Sequence, residues 1–221
     1  MNYRWNFEGV FAHTDALVAG AVGTLRIFAI CLVAGLALGL VVGLARRARS
    51  RWLYWPASAF VEFFRNTPVL VQILWFYFAA PMLVPVEIGP LAAAALGISL
   101  NSAAFSAEIF RGGIQSIEPG QWEGARALGM SDAQAMRRIV LPQAIRRMLP
   151  ALTNRAIEIF KMSTLASAVA YVELLQQGKL IASLDYNPIE VYTVIALAFF
   201  AFLFPLVQAT YALERRMGRG Q

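Results

Sequence analysis

Five long apolar runs, at about residues 16–45, 55–82, 88–110, 148–172 and 188–212, alternate with more polar segments along the chain. A helix needs ~20 mainly apolar residues to cross a bilayer core, and each run is long enough. The first is interrupted only by Arg26. It is too long for a signal-peptide core and has no Arg-rich leader, so it reads as a retained span. The expected fold is therefore all-α, a polytopic membrane protein with five transmembrane helices. An odd number of spans puts the two termini on opposite sides.

The basic residues set the direction. Arg46, Arg47, Arg49 and Arg51 follow span one. Arg111, Arg126, Arg137, Arg138, Arg146 and Arg147 lie between spans three and four, and Arg215, Arg216 and Arg219 follow span five. The opposite-side segments hold only Arg4 and Lys179. The positive-inside rule then predicts a cytoplasmic C-terminus and an external N-terminus. Trp52, Tyr54 and Trp55, beside one basic cluster, fit an interfacial aromatic belt. Gly35, Gly39 and Gly43 recur every fourth residue, so one face of span one admits another backbone closely. Packing within the subunit and a contact between subunits both fit that stripe. No inverted repeat is visible, so a translocation pathway would need a second copy or a sister subunit.

Composition narrows the class. Of 221 residues, 59% are hydrophobic and 14% charged, against ~45–50% and ~25% in soluble domains. That excludes a disordered chain, a disulfide-rich module and almost any cytosolic enzyme. The net charge of +6 follows from topology and implies no nucleic acid. Cys31 lies in an apolar run and reads as a small core or lipid-facing residue. The single His13 cannot make a metal site.

The stretch 111–147 is the longest hydrophilic one, and its local signals are helical. Pro119 and Gly120 break the chain, residues 121–128 form a short helix, and Gly129 suits a left-handed cap. Ser131 starts a second helix, with Gln134 as its capping-box partner, running to Leu141 and Pro142. A short helix held outside the membrane is a natural docking knob for a cytoplasmic partner.

Glu123, Gly124 and Ala125, then Gly129, then Ile139, Val140, Leu141 and Pro142 resemble the EAA loop of ABC-importer permeases, with glycine at 124 where that family usually has alanine. Phe64 to Pro68 with Gln72, Glu108 with the run 111–117, Gln121, Gln143 and Lys161 are similar to the polar-amino-acid permease subfamily. The resemblance implies an ABC type I importer permease-like fold. It gives one permease domain over 18–215 with a coupling loop at about 112–147, an external segment 1–17 and a cytoplasmic tail 216–221. It further implies a bacterial inner-membrane subunit that pairs with a second permease, the same or a sister chain. The other implied partners are a cytoplasmic ABC ATPase dimer, a periplasmic amino-acid-binding protein, membrane lipid and a polar amino-acid substrate. The chain has no phosphate-cradling G-x-x-x-x-G-K-[ST] run, so it is expected to bind no cofactor. ATP and magnesium would sit on the partner ATPase, with Glu123, Gly124, Ala125, Gly129, Ile139, Leu141 and Pro142 carrying the coupling.

Charges inside spans are expensive and point to functional or paired roles. On span four, Asn154, Glu158 and Lys161 share one helical face, followed by Ser163 and Thr164. A Glu158–Lys161 pair and a polar stripe facing a water-filled path are both compatible with that spacing. Asn101 and Ser102 on span three offer hydrogen bonds to a path or between subunits. On span two, Pro68 frees backbone carbonyls near Thr67 and Gln72. Arg65, Glu108 and Arg111 are candidates for a cytoplasmic gate or anchor, and Glu62 with Arg65 is expected to form an interfacial salt bridge. The resembling family often shows Asp or Asn after the lysine, where this chain has Met162. A membrane-embedded enzyme using Ser163 or Glu108 lacks a nucleophile–base pair. A stand-alone secondary carrier fits an odd span count poorly.

Overall fold

The computed structural model describes residues 4–48 and 50–218. Arg49, Arg219 and the rest of the extreme tail lie outside the described residues, as do the side chain of Arg216 and residues 1–3 of the N-terminal segment. The described chain is helical. A short α1 (Glu8–Ala12) leads into α2 (Thr14–Ala45), and α3 (Arg51–Asn66) follows a tight turn. Next come α4 (Val69–Leu74), a wide turn at Trp75–Ala79, and α5 (Ala80–Leu83). Then α6 (Pro90–Gln115), α7 (Pro119–Ala127), α8 (Asp132–Ala135), α9 (Leu141–Met162), α10 (Leu174–Asp185) and α11 (Pro188–Gly218) complete the order.

The five expected spans correspond to α2, the α3–α5 pair, α6, α9 and α11. Three of them, α2, α6 and the 188–212 part of α11, are long and apolar enough to cross a membrane by themselves. The second span is broken: α3 and the helix from Val69 to Leu83 meet at 105°. Thr67 and Pro68 there adopt extended backbone, because Pro68 has no N–H to continue the helix. By contrast α9 carries Arg155, Glu158 and Lys161 and is too polar to count as a lipid-facing helix.

The glycine stripe packs inside the subunit. A Cβ at Gly35 would lie 2.7 Å from the Ser102 Cβ, one at Gly39 2.6 Å from the Ser106 Cβ, and one at Gly43 2.9 Å from the Ala107 carbonyl oxygen. Only residues without a side chain let α2 and α6 run together in parallel at that spacing. The seam brings the basic C-terminal end of α2 beside the end of α6 that enters the hydrophilic loop. At the other end, α10 lies against the start of α2, and His13 pairs with Asp185 at 3.2 Å. Between them Ile27, Cys31, Ile73, Ala94, Ile98 and Ile159 form a core shared by α2, α4, α6 and α9. Cys31 is a fully buried member of it.

One expected boundary moves. The helix starting after Ser131 does not stop at Leu141 and Pro142. It passes through a wide turn at Met136–Val140 and continues as α9. Pro142 sits in the first turn of α9, where the bulge already relieves the need for its missing N–H. The hairpin is thus joined rigidly to span four.

Candidate functional site

The expected residues gather in two places, and a third cluster ties one of them to the frame. The first place is the hairpin between α6 and α9. Gly129 adopts φ +75°, the left-handed conformation that turns the chain after α7. The Ser131 N–H donates to Gln134 Oε1 at 2.9 Å and the Gln134 N–H to Ser131 Oγ at 3.3 Å, completing the expected capping box. Below, Ile114, Ile117, Val140 and Met148 pack with Trp122. Gln143 Nε2 donates to Gln121 Oε1 at 3.1 Å, and the Arg147 guanidinium donates to the Ser116 carbonyl. Glu123, Gly124, Leu141 and Pro142 are exposed, and Ile139 is half-buried. Leu128, which caps α7 at the tip of the hairpin, is 80% exposed. Ala125, expected among the coupling residues, is 1% exposed. Its methyl is turned into the protein, while Glu123 and Gly124 beside it face outward.

The second place is a cleft of about 400 Å³ between the α3–α4 break, α6 and α9. Thr67, Asn101, Glu158 and Lys161 line it, together with Arg65, Phe105, Arg155 and Met162. Arg155 organises it. Its side chain is 4% exposed and donates from Nη1 to Glu158 Oε2 at 2.7 Å. Its Nη2 donates to Asn101 Oδ1 at 3.1 Å and to Ser102 Oγ at 3.0 Å. The guanidinium also stands 4.6 Å over the Phe105 ring, a favourable cation–π distance. Asn101 Nδ2 donates to the Phe64 carbonyl at 2.7 Å. Gln72 Nε2 reaches the same carbonyl at 3.1 Å and that of Thr67 at 3.0 Å. The amides of Asn101 and Gln72 thus satisfy carbonyls that the broken helix leaves open.

Several sequence-derived pairings change here. Glu158 bonds Arg155, not Lys161, and no ion pair is formed by Lys161 among the described residues. Arg155 precedes Glu158 by three residues and is buried beneath it, whereas Lys161 points to the exposed side. Glu62 does not bridge Arg65: it accepts from Asn66 Nδ2 at 3.2 Å, while Arg65 stands 5.2 Å over Phe105 on α6. Gln72 and Ser102 are buried supports of the cleft, and Asn154 is exposed but does not line it. Ser163 and Thr164 spend their hydroxyls on the carbonyls of Phe160, at 2.6 Å, and Lys161, at 2.8 Å, at the end of α9.

The third cluster joins α2 to α6. Glu108 takes Arg111 at 2.5 and 3.1 Å through one carboxylate oxygen and Arg46 through the other. Arg111 Nη1 also donates to Gln115 Oε1 at 2.6 Å. Burial first, and the neighbouring Arg111 second, pull the Arg46 guanidinium below its ordinary value. Sequence reasoning passed over both Arg46 as a partner and Arg155 altogether. An arginine three residues before a glutamate within an apolar run was the available signal for the second. Among the described residues no group of three His, Cys, Asp or Glu side chains is placed to hold a metal.

Residues 35–219 match the family described as binding-protein-dependent transport system inner membrane component. The chain is 40% identical to the probable amino-acid ABC transporter permease protein YckA of Bacillus subtilis, over 90% of this chain and 88% of that one. It is 35% identical to the glutamine transport system permease protein GlnP of Escherichia coli, over 98% and 99% of the two chains. In three dimensions it resembles the crystal structure of an amino acid ABC transporter with histidines. The TM-score is 0.91 at 34% identity, covering 97% of this chain and 100% of that one.

Proposed function

Because the chain belongs to the binding-protein-dependent transport system inner membrane component family, we infer that it is the permease subunit of an ATP-driven amino-acid importer. It is a transport component of the inner membrane and not itself an enzyme. An ATPase and a binding protein are its partners, as the family implies. In our reading the permease works in a pair, with an identical or a sister chain. Its N-terminus is periplasmic and its C-terminus cytoplasmic. It holds no cofactor of its own, and ATP and magnesium act on the ATPase dimer. A polar amino acid handed over by the binding protein then crosses through the cleft beside the α3–α4 break.

The observation that carries the coupling part is the exposed α7 with Leu128 at its tip, built on a helix continuous with α9. Force applied to α7 by a closing ATPase pair reaches Arg155 and Glu158 along that one helix. A conformational response needs such a contact that differs between two states. Glu123→Arg tests it in the reconstituted complex. The expected result is loss of substrate-stimulated ATP hydrolysis and uptake, with the permease still folded. Unchanged uptake in that variant overturns the docking role of α7.

A further inference from the structure

The cleft carries an unbalanced charge. Three cations line it, Arg65, Arg155 and Lys161, against the single carboxylate of Glu158. Arg155 and Glu158 neutralise each other at 2.7 Å. Arg65 and Lys161 remain, both exposed toward the cleft side and neither in an ion pair among the described residues. Arg65 is held over the Phe105 ring, which steers a guanidinium without neutralising it. The nearby Glu62 is turned to Asn66. Uncompensated cations within a membrane-spanning bundle are costly and call for an anionic counterpart.

Resting on the reading of this cleft as the passage, we propose that it selects amino acids bearing a second carboxylate and disfavours those with a cationic side chain, with Lys161 and Arg65 as the specificity-determining residues. An acidic amino acid brings one ammonium and two carboxylates. The ammonium matches Glu158, whose side chain is 59% exposed. The two carboxylates match the two cations left without a partner. A basic amino acid would instead place a second cation among like charges, and a neutral amide would leave one cation unanswered. Arg155 engages Glu158 through Oε2 alone, so the other carboxylate oxygen can accept the ammonium with the Arg155–Glu158 pair intact and no buried charge left unpaired.

Equilibrium binding of labelled glutamate, glutamine and arginine to the complete permease–ATPase complex in nanodiscs, without the binding protein, tests the assignment. Glutamate is expected to bind at least about tenfold more tightly than arginine, with glutamine between them. Lys161→Gln is expected to narrow the glutamate-to-arginine ratio about tenfold. Met162→Asp, which adds a carboxylate to the lining, is expected to raise arginine binding and serves where the lysine variant folds poorly. Arginine binding as tightly as glutamate, or a ratio unmoved by either variant, overturns the charge selectivity and leaves the passage standing. A complex that imports amino acid yet binds none of the three probes overturns the passage as a ligand site, and the selectivity with it.

Discussion

Two arginine–glutamate clusters use the same groups in opposite arrangements. At the loop end the carboxylate is enclosed: Glu108 is 19% exposed, and each of its oxygens holds a guanidinium, Arg46 from α2 and Arg111 from its own helix. In the cleft the arginine is enclosed: Arg155 is 4% exposed, while the side chain of Glu158 is 59% exposed. An enclosed carboxylate between two cations has no position left for a newcomer and acts as a fixed post. An exposed carboxylate on an enclosed arginine can take a further partner, because Arg155 engages only one of its two oxygens. The first arrangement suits an anchor for the coupling loop, and the second suits a passage.

The strongest way to break this contrast is to remove the enclosed arginine. Arg155→Leu leaves Asn101 Oδ1, Ser102 Oγ and Glu158 without their donor. Each buried acceptor left without its donor costs about 1–3 kcal/mol, so thermal unfolding of the purified permease should shift strongly downward. Arg155→Lys keeps the charge but cannot bridge acceptors on two helices with a planar fork, and should fall between. A leucine variant as stable as the parent would show that the cleft does not depend on this cluster.

The anchor should yield less. Glu108→Gln preserves shape but leaves two guanidinium groups facing an uncharged amide, a loss of about 1–3 kcal/mol. Ligand-stimulated ATP hydrolysis should drop with the loosened joint between α2 and α6, while the preference among amino acids in the cleft stays the same. If selectivity moved and coupling did not, the roles of the two clusters would have to be exchanged. The glycine seam limits how far the joint can relax. Gly39 and Gly43 hold α2 against Ser106 and Ala107, the two residues that precede Glu108 on α6.

How much of this was readable from residues differs between the two regions for a physical reason. The hairpin is built from local interactions: Gly129 needs its positive φ, Ser131 and Gln134 bond each other across three residues, and both facts are encoded within one helical turn. The spans in α2, α6 and α11 followed from length and apolarity alone. The cleft depends on contacts between residues 37 to 54 positions apart, Phe64 with Asn101 and Asn101 with Arg155. Spacing along one helix made Glu158 and Lys161 neighbours, yet burial decided in favour of Arg155. The same limit explains Gln72, whose polar side chain near a proline break suggested a path. It turned inward, because Phe64 and Thr67 offered open carbonyls there. It also explains α9, whose polarity disguises it as a surface helix until its neighbours are in place.

A third carboxylate sharpens the comparison by doing without an ion pair at contact distance. Glu173, in the turn before α10, is fully buried and accepts from the backbone N–H groups of Leu175 at 2.9 Å and Gln176 at 2.6 Å. No cation lies within ion-pairing distance of it among the described residues, since Lys179 donates to Ser167 Oγ. Burial outweighs those two backbone bonds and raises its carboxyl from the ordinary 4.5 to about 7. Between those values the folded chain holds a proton that the unfolded chain has released. Stability therefore falls as pH rises through that window, is highest below about 4.5, and levels off above about 7. Glu173→Gln keeps an acceptor for the first turn of α10 but cannot titrate. Its unfolding temperature should lose this downward slope, while Glu108→Gln, measured in the same buffers, should retain it. Equal slopes in the parent and Glu173→Gln would mean that the proton is taken up elsewhere. The two backbone bonds to Glu173 would then offset its burial and keep that carboxylate charged.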